Sequence, residues 1–205
     1  MAKIKLTKGE LKRQRDALKQ YYRYLPTLHL KKKQLQLEIH RYAAVIRDKH
    51  AQEETRLREA RVWAGLLSDK SVDFRQWVVP SRVATGSRNV AGVDIPVYEE
   101  AFFGEAEYDL FLTPPWVDHA LEELRAIVSL REELSVLNRA LAALKAELRT
   151  TSQRVNLFEK VKIPQAEEAI RRIKISIGDQ MTNAVGRSKI AKQKIEMTLA
   201  AEAFV

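Results

Sequence analysis

The 205-residue chain contains no cysteine. This absence excludes a disulfide framework and any thiolate metal site, and it makes a reducing compartment the default expectation. Glycine and proline are also scarce, at 7 and 6 residues, while charged residues reach 31%. A chain with few helix breakers and much charge is typical of a helical protein with a large solvated surface.

Long apolar runs are also missing from the sequence. No uninterrupted apolar stretch approaches the roughly 18 to 20 residues that a membrane-spanning helix requires. The amino terminus, from Met1 to Glu10, alternates charged with single apolar residues and lacks the apolar region of a secretory signal. We therefore expect no direct membrane insertion, and any work at a membrane would go through a partner.

The net charge of +9 is unevenly distributed along the chain. Residues 1–33 and residues 171–205 are strongly basic, whereas residues 34–170 are net acidic. If the chain folds back on itself, the two basic ends meet at the same tip.

Two interleaved heptad series near the amino terminus predict one long amphipathic helix. Lys32 interrupts the first series as a polar position, and Pro26 falls inside the pattern without changing its phase. We therefore expect a kinked helix rather than two separate helices. The apolar stripe consists of Leu11, Leu18, Leu25, Leu28, Leu35, Ile39, Tyr42 and Ile46.

The strongest periodic signal lies in the second half of the chain. Its stripe alternates spacings of four and three residues and includes Leu130, Leu134, Leu137, Leu141, Leu144, Leu148, Val155 and Phe158. Beyond Phe158 the stripe resumes at Ile163 with a shift of one residue, which predicts a kink or a change of supercoil near Pro164. Gly178 and Gly186 flank weaker helix formers, so the helix either breaks there or continues with reduced stability.

The middle of the chain contains β-branched and aromatic runs bounded by turn residues. The runs Trp77–Ala84 and Val93–Tyr98, separated by a loop at Thr85–Asn89, predict a β-hairpin. Pro80 and Pro96 would limit both strands to edge or bulged positions.

Together these patterns predict a mainly α fold. It is a long antiparallel two-helix coiled-coil hairpin with a small β-hairpin insertion at the end opposite the chain termini, because two amphipathic helices bury their stripes most simply against each other. The predicted parts are an N-terminal shaft helix in residues 1–72, a β-hairpin and connector module in 73–115, and a C-terminal shaft helix in 116–205, with a possible break at 178–186.

Chemistry-bearing motifs are missing from this pattern. The sequence has no GxxxxGK[ST] phosphate loop, and its four histidines lack both the HExxH spacing and cysteine partners. Neighbouring acidic residues such as Glu53 and Glu54 point to different sides of a helix and cannot easily share a proton. We therefore expect no catalytic, cofactor-binding or metal-binding residue, and no enzyme activity in the chain itself.

Two other functions fit parts of the sequence. The basic amino-terminal segment, with Tyr21, Tyr22 and Tyr24 interleaved, could contact nucleic-acid phosphates and stack on bases. These tyrosines lie on or beside the predicted seam, where packing accounts for them, so we expect no nucleic-acid partner. The other alternative is a free coiled-coil adaptor or a prefoldin-like chaperone, which also joins two helices through β-hairpins.

Three stretches resemble the D subunit of the vacuolar and archaeal-type (V/A-type) rotary ATPases, in particular a bacterial branch of that family. Lys5–Leu11 and Leu28–Leu35 are similar to its opening segment and its lysine-rich box. The residues similar to its hairpin signature are Arg88, Asn89, Val90, Ala91, Gly92, Val93 and Pro96. The residues similar to its later shaft motif are Arg154, Val155, Asn156, Glu159 and Pro164. Departures from the family pattern occur at Pro26 and in the segment Gly178–Asn183.

The resemblance implies a central-stalk rotor component that transmits torque between a catalytic head and a membrane ion-translocating ring during ATP synthesis or hydrolysis. One copy per complex would contact the A and B subunits in the head, the F subunit on its side, and the C (or d) subunit above the ring. The resemblance also implies a cytoplasmic location, peripheral to the membrane. A basic tip facing the head would comprise Lys3, Lys5, Lys8, Lys12, Arg13, Lys189, Lys192 and Lys194.

Overall fold

The computed structural model describes residues 5–68, 75–109 and 113–202, and its fold is mainly α, as the sequence predicts. Long antiparallel helices form a hairpin that carries a small two-stranded antiparallel sheet. The elements are α1 (Lys8–Trp63), a 3-10 turn (Ala64–Ser68), α2 (Arg75–Val78), β1 (Pro80–Val90), β2 (Val93–Phe103), α3 (Trp116–Leu157), a π-helical turn (Phe158–Lys162) and α4 (Ile163–Glu202). The proposed domain boundary between residues 72 and 73 lies outside the described residues.

The chain divides into two compact units. The terminal unit contains the chain up to His29 and from Gln153 onward, and the β unit contains Leu30–Ser152. Helix α1 contributes residues to both units, as does α3.

In the terminal unit, the first part of α1 pairs with the end of α3, the π-helical turn and α4. Tyr22 contacts Glu167 and His29 contacts Glu159, so residue numbers rise along one helix as they fall along the other. The buried face of this pair is built mainly from small and β-branched side chains, namely Val155, Ile163, Ala166, Ala169 and Ile173. Side chains of this size let two helices approach each other closely.

In the β unit, the rest of α1 pairs with α3, again antiparallel. Lys49 bonds Glu133 at 2.7 Å and Arg56 bonds Glu123 at 3.3 Å. One core cluster joins Leu35, Ile95, Ala140 and Leu144, and a second is built around Val117 and Ala120 with aromatic residues that include Trp63 and Trp77. The first cluster therefore contains residues from α1, β2 and α3.

The turn of the β-hairpin lies later in the chain than the sequence pattern indicated. The predicted loop at Thr85–Asn89 is wrong, because these residues continue β1 and pair with β2 up to Val90 opposite Val93. Ala91 and Gly92 form the turn, with φ of 52° and 76°. A two-residue turn with both φ values positive matches the natural twist of paired strands. Trp77 and Val78, assigned to a strand from sequence, lie in the short helix α2.

The sequence predicts one helix through Pro26 and leaves open whether the last helix breaks at 178–186. Helix α1 continues through Pro26, and α4 continues through 178–186. The one-residue shift of the second stripe coincides with the π-helical turn Phe158–Lys162, in which the Ile163 N–H donates to the Phe158 carbonyl. A π turn holds one residue more than an α turn, which accounts for the shift.

No helix within the described ranges is both long enough and apolar enough to cross a bilayer.

Candidate functional site

The predicted seam residues lie along the faces where the helices pair. Leu35, Ile46, Leu130, Leu134, Leu144 and Val155 are buried. The others are half-buried, and they are Leu11, Leu18, Leu25, Leu28, Ile39, Tyr42, Leu137, Leu141, Leu148 and Phe158. Within each unit, the predicted seam residues therefore account for much of the surface along which the helices pair.

Helix α3 has a second buried face that the sequence pattern missed. Val136 and Ala140 have no solvent exposure, although neither belongs to the predicted stripe. Ala140 lies in the cluster that contains Ile95 of β2, and Ala143 packs against the same cluster. The available signal was the pair of alanines beside the leucine stripe, since small side chains let another element approach a helix closely.

The tip of the β-hairpin docks onto this face. Ile95 is 1% exposed in the cluster with Leu35 and Leu144, and Val90, Ala91 and Val93 pack around it. The Asn89 side chain closes the turn by donating to Asp94 at 2.6 Å and accepting from the Gly92 N–H at 3.1 Å. Five of the seven hairpin-signature residues thus either close the turn or dock it.

The two remaining signature residues, Arg88 and Pro96, lie on the strands of the β-hairpin, and Lys31 of α1 lies close to its turn. Pro96 pairs with Ser87, and Arg88 is exposed. A side chain at position 92 would begin 3.8 Å from Lys31 Nζ, which itself donates to Glu147 at 2.7 Å. The turn therefore lies close to an ion pair that joins α1 to α3.

Arg125 of α3 fixes the base of the β-hairpin. Its guanidinium donates to the Trp77 carbonyl at 3.0 Å and the Gly104 carbonyl at 2.6 Å, and it lies 5.4 Å from the centre of the Phe103 ring. Tyr98 also hydrogen-bonds Ser129 at 2.6 Å. Sequence reasoning missed Arg125, because its partners are backbone carbonyls that no local pattern brings to it.

The shaft-motif residues have different surroundings. Val155 is buried, Glu159 contacts His29 at 2.9 Å, and Pro164 follows the π-helical turn. Arg154 and Asn156 are exposed.

The predicted basic tip is solvated in the terminal unit. Lys5, Lys8, Lys12, Arg13, Lys189, Lys192 and Lys194 are exposed, whereas Lys3 lies outside the described residues. Every side chain from Gly178 to Met197 is exposed, including the apolar Met181, Val185 and Ile190. This part of α4 therefore presents both positive charge and apolar groups to solvent.

Ion pairs set the electrostatics of both helix pairs. Arg131 and His50 bond Glu53 at 2.8 and 3.3 Å, and the Arg131 hydrogen bond lowers the pKa of the Glu53 carboxyl. Arg171 and Arg172 together lower the pKa of Glu168 to about 2. The hydrogen bond from Tyr22 to Glu167 raises the pKa of the phenol. These contacts hold helices or helix turns together.

Histidines and acidic side chains are the groups that could bind a metal ion or take part in catalysis. No group of three or more His, Asp or Glu side chains within the described ranges is placed to hold a metal ion. His29 and His50 each contact a glutamate, while His40 and His119 are exposed. The fold and its polar contacts define a coiled-coil hairpin protein stabilised by a docked β-hairpin.

Comparison with known proteins identifies the family. The model of the ATP synthase D-subunit family matches residues 10–193. The chain is 43% identical over 195 residues to the D subunit of the V-type ATP synthase of Borreliella burgdorferi, covering 95% of this chain and 96% of that protein. It is 33% identical over 198 residues to the protein of the same name from Chlamydia pneumoniae, covering 95% and 94% of the two chains. The chain belongs to the ATP synthase D-subunit family, which confirms the resemblance found in its sequence.

Proposed function

We propose that this chain is the central-stalk rotor component of a V/A-type ATPase and transmits torque between the A/B head and the membrane ion-translocating ring. The observation that carries the proposal is the family match over residues 10–193, which includes both partners of each helix pair. In this role nucleotide chemistry belongs to the head, and the chain itself has no active site. The parts 1–72, 73–115 and 116–205 would serve as first shaft helix, connector and second shaft helix.

The construction of the β unit supports a torque-bearing role. A shaft must keep its helices from sliding past each other under load. Ile95 packs against Leu35 of α1 and Leu144 of α3 together, so sliding of either helix would disrupt the same core. The ion pairs Lys31–Glu147 and Lys49–Glu133 also join the two helices, at partly buried positions.

The exposed end of α4 supports contact with the head. Its lysines, including Lys189 and Lys192, are solvated, and exposed ion pairs contribute only about 0 to 1 kcal/mol each. Weak contacts of this kind with acidic loops of A and B would let the tip move between positions without being trapped in one.

The remaining partners follow from the same proposal. The F subunit would bind the side of the shaft, and the C (or d) subunit would join it to the membrane ring. One copy of the chain would serve each complex, on the cytoplasmic face and peripheral to the membrane.

Rotation of the chain itself is the direct test. The absence of cysteine allows a single attachment point, and Ser87, exposed on β1, is suitable for Ser87→Cys. With the head of the reconstituted complex immobilised, a bead on this cysteine should rotate in one direction when ATP is added. Vigorous ATP hydrolysis with a stationary bead would contradict the proposal.

The contact with the head has its own test. Reversing Lys189, Lys192 and Lys194 to Glu should weaken retention of the chain by immobilised A/B head. The matched control reverses Arg139, Lys145 and Arg149, three exposed cations on α3. Equal retention of the two triple variants would count against a head-facing tip.

A further inference from the structure

The apolar seam of the β unit repeats every seven residues, so it specifies the register of α1 against α3 only in part. Leu35 of α1 and Leu144 of α3 belong to one buried cluster, which sliding by less than a heptad would disrupt. A displacement by a whole heptad would instead bring Tyr42 opposite Leu144, or Leu35 opposite Leu137, and apolar side chains would meet again. A polar contact can decide between such neighbouring registers.

An ion pair one helical turn before Leu35 joins the two helices. Lys31 Nζ donates to Glu147 Oε1 at 2.7 Å, and the Thr151 hydroxyl donates to the same oxygen at 3.4 Å. The side chains of Lys31 and Glu147 are only 30% and 26% exposed, and Thr151 is buried. A charge in such surroundings is costly when it loses its partner. The pair therefore favours the register in which the two charges meet.

Residues seven positions away from this pair would oppose a one-heptad displacement in either direction. Glu38 follows Lys31 by seven residues on α1, so one displacement would bring it opposite Glu147 and place two carboxylates together. The reverse displacement would bring Lys31 opposite Ala140, which is fully buried in the cluster with Ile95. An ammonium facing this apolar cluster would have no acceptor from the helix pair. Both displacements are therefore unfavourable.

A second ion pair between α1 and α3 does not have this property. Lys49 bonds Glu133 at 2.7 Å with side chains 28% and 24% exposed, so the two pairs match in length and burial. Arg56 follows Lys49 by seven residues, and the first displacement would bring this cation opposite Glu133. The charges around Lys49–Glu133 tolerate a displacement that those around Lys31–Glu147 oppose.

We propose that Lys31 and Glu147 select the register of the α1/α3 pair against the registers displaced by one heptad. The Lys49–Glu133 pair adds stability without selecting a register. This property belongs to the chain by itself and goes beyond the proposed role in an ATPase.

A distance measured between two spin labels on the full-length chain tests the proposal. The chain has no cysteine, so Arg47→Cys on α1 and Arg149→Cys on α3 supply two exposed attachment sites within the β unit. The pairing of Lys31 with Glu147 places these sites about five helical turns apart along the axis, so a one-heptad displacement changes their separation by up to roughly 10 Å. Double electron–electron resonance resolves this change, and the labelled parent should give one distance.

Exchanging the two charges separates register selection from ordinary pairing. Lys31→Glu combined with Glu147→Lys keeps an ion pair in the observed register, but Glu38 would now meet a cation in the displaced register. We therefore expect a second distance, shorter than the parent distance by up to roughly 10 Å. A single, parent-like distance in this variant would overturn the proposal.

The same exchange at the second ion pair is the matched control. With Lys49→Glu and Glu133→Lys, the displacement would bring Arg56 opposite a cation, so the labelled chain should keep the single parent distance. A second distance in both exchange variants would mean that loosening any ion pair frees the helices, and the proposal would fail.

Lys31→Met gives an independent readout in the opposite direction. Without its ammonium, position 31 can face Ala140, so the second distance should be longer than the parent distance by up to roughly 10 Å. Lys49→Met should keep one distance, because Lys31 still opposes the displacement. Circular dichroism would verify the helix content of all variants. A parent-like single distance in Lys31→Met would also overturn the proposal.

Discussion

The β unit and the terminal unit bury their helices with different numbers of elements. In the β unit the β-hairpin covers the α1/α3 pair, and large side chains such as Leu35, Ile95 and Leu144 are completely buried. In the terminal unit two helices pack alone, and the buried face consists of alanines and β-branched residues, namely Val155, Ile163, Ala166, Ala169 and Ile173. Two helices exclude water only along a narrow stripe, so they enclose fewer large side chains. Ile173 is fully buried in the terminal unit, but no leucine among the described residues of that unit is buried.

The polar contacts of the two units differ as well. The β unit joins its helices with Lys or Arg to Glu pairs, whereas the terminal unit uses Tyr22–Glu167 and His29–Glu159. The sequence explains this difference, since both chain ends are basic and the middle is net acidic. Two basic helices have few opportunities for ion pairs with each other.

The largest expected effect tests the difference in enclosure. Leu144→Ala should destabilise the protein by about 2 to 5 kcal/mol, because it opens a cavity among three elements. Ile173→Ala in the terminal unit should cost less, since two helices can collapse toward the gap. Urea denaturation measures the free energy of unfolding of both variants. The control is Leu37→Ala at a 60% exposed position, whose free energy of unfolding should stay within about 0.5 kcal/mol of the parent value. An Ile173→Ala loss as large as that of Leu144→Ala would break the comparison.

Gly92→Val should have the next largest effect, by weakening the docked β-hairpin. Gly92 has a φ of 76°, and a side chain in this left-handed region costs roughly 1 to 2 kcal/mol. The loss should appear in thermal denaturation and in faster amide exchange across β1 and β2. Exchange unchanged from the parent would mean that the turn does not hold the hairpin in place.

The Glu53 contact predicts a pH dependence that belongs to the β unit. Arg131 lowers the pKa of Glu53 in the folded protein. The contribution of this contact to the free energy of unfolding is therefore present above the ordinary pKa of 4.5, and it is lost as the pH falls through the lowered pKa. Glu53→Gln should cost on the order of 0.5 to 1 kcal/mol at pH 7, since Arg131 is partly solvated. Denaturation from pH 7 to pH 3 should show a shallower acid loss for Glu53→Gln than for the parent. Parallel curves would contradict this assignment.

The smallest effect is expected at Glu168 in the terminal unit. Its exposed contacts with Arg171 and Arg172 lie within one helix, and its pKa is lowered to about 2. Its contribution should therefore persist below pH 4.5 and disappear only as the pH approaches 2. An NMR titration of the carboxyl carbon would show this, and Glu168→Gln should leave the urea midpoint almost unchanged. A midpoint shift larger than that of Glu53→Gln would reverse the ranking of the two units.

Local pattern determined much of this molecule. The spacing of Leu130 through Phe158 predicts a helix and the face it buries. The shift of the stripe at Ile163 predicts a kink or a change of supercoil near Pro164, and the structure has a π-helical turn there. Such features are readable because helical periodicity is a property of neighbours in the chain.

Only the tertiary structure decided the docking of the β-hairpin, the burial of Val136 and Ala140, and the role of Arg125. These depend on which residues of distant segments meet, and the register of that meeting is set by packing over the whole length of the helices. The turn at Ala91 and Gly92 has the same origin. Both Thr85–Asn89 and Ala91–Gly92 contain turn-forming residues, and the long pairing of β1 with β2 favours the second. The amino-acid sequence therefore specified the helices and their family, while long-range packing specified how they are locked together.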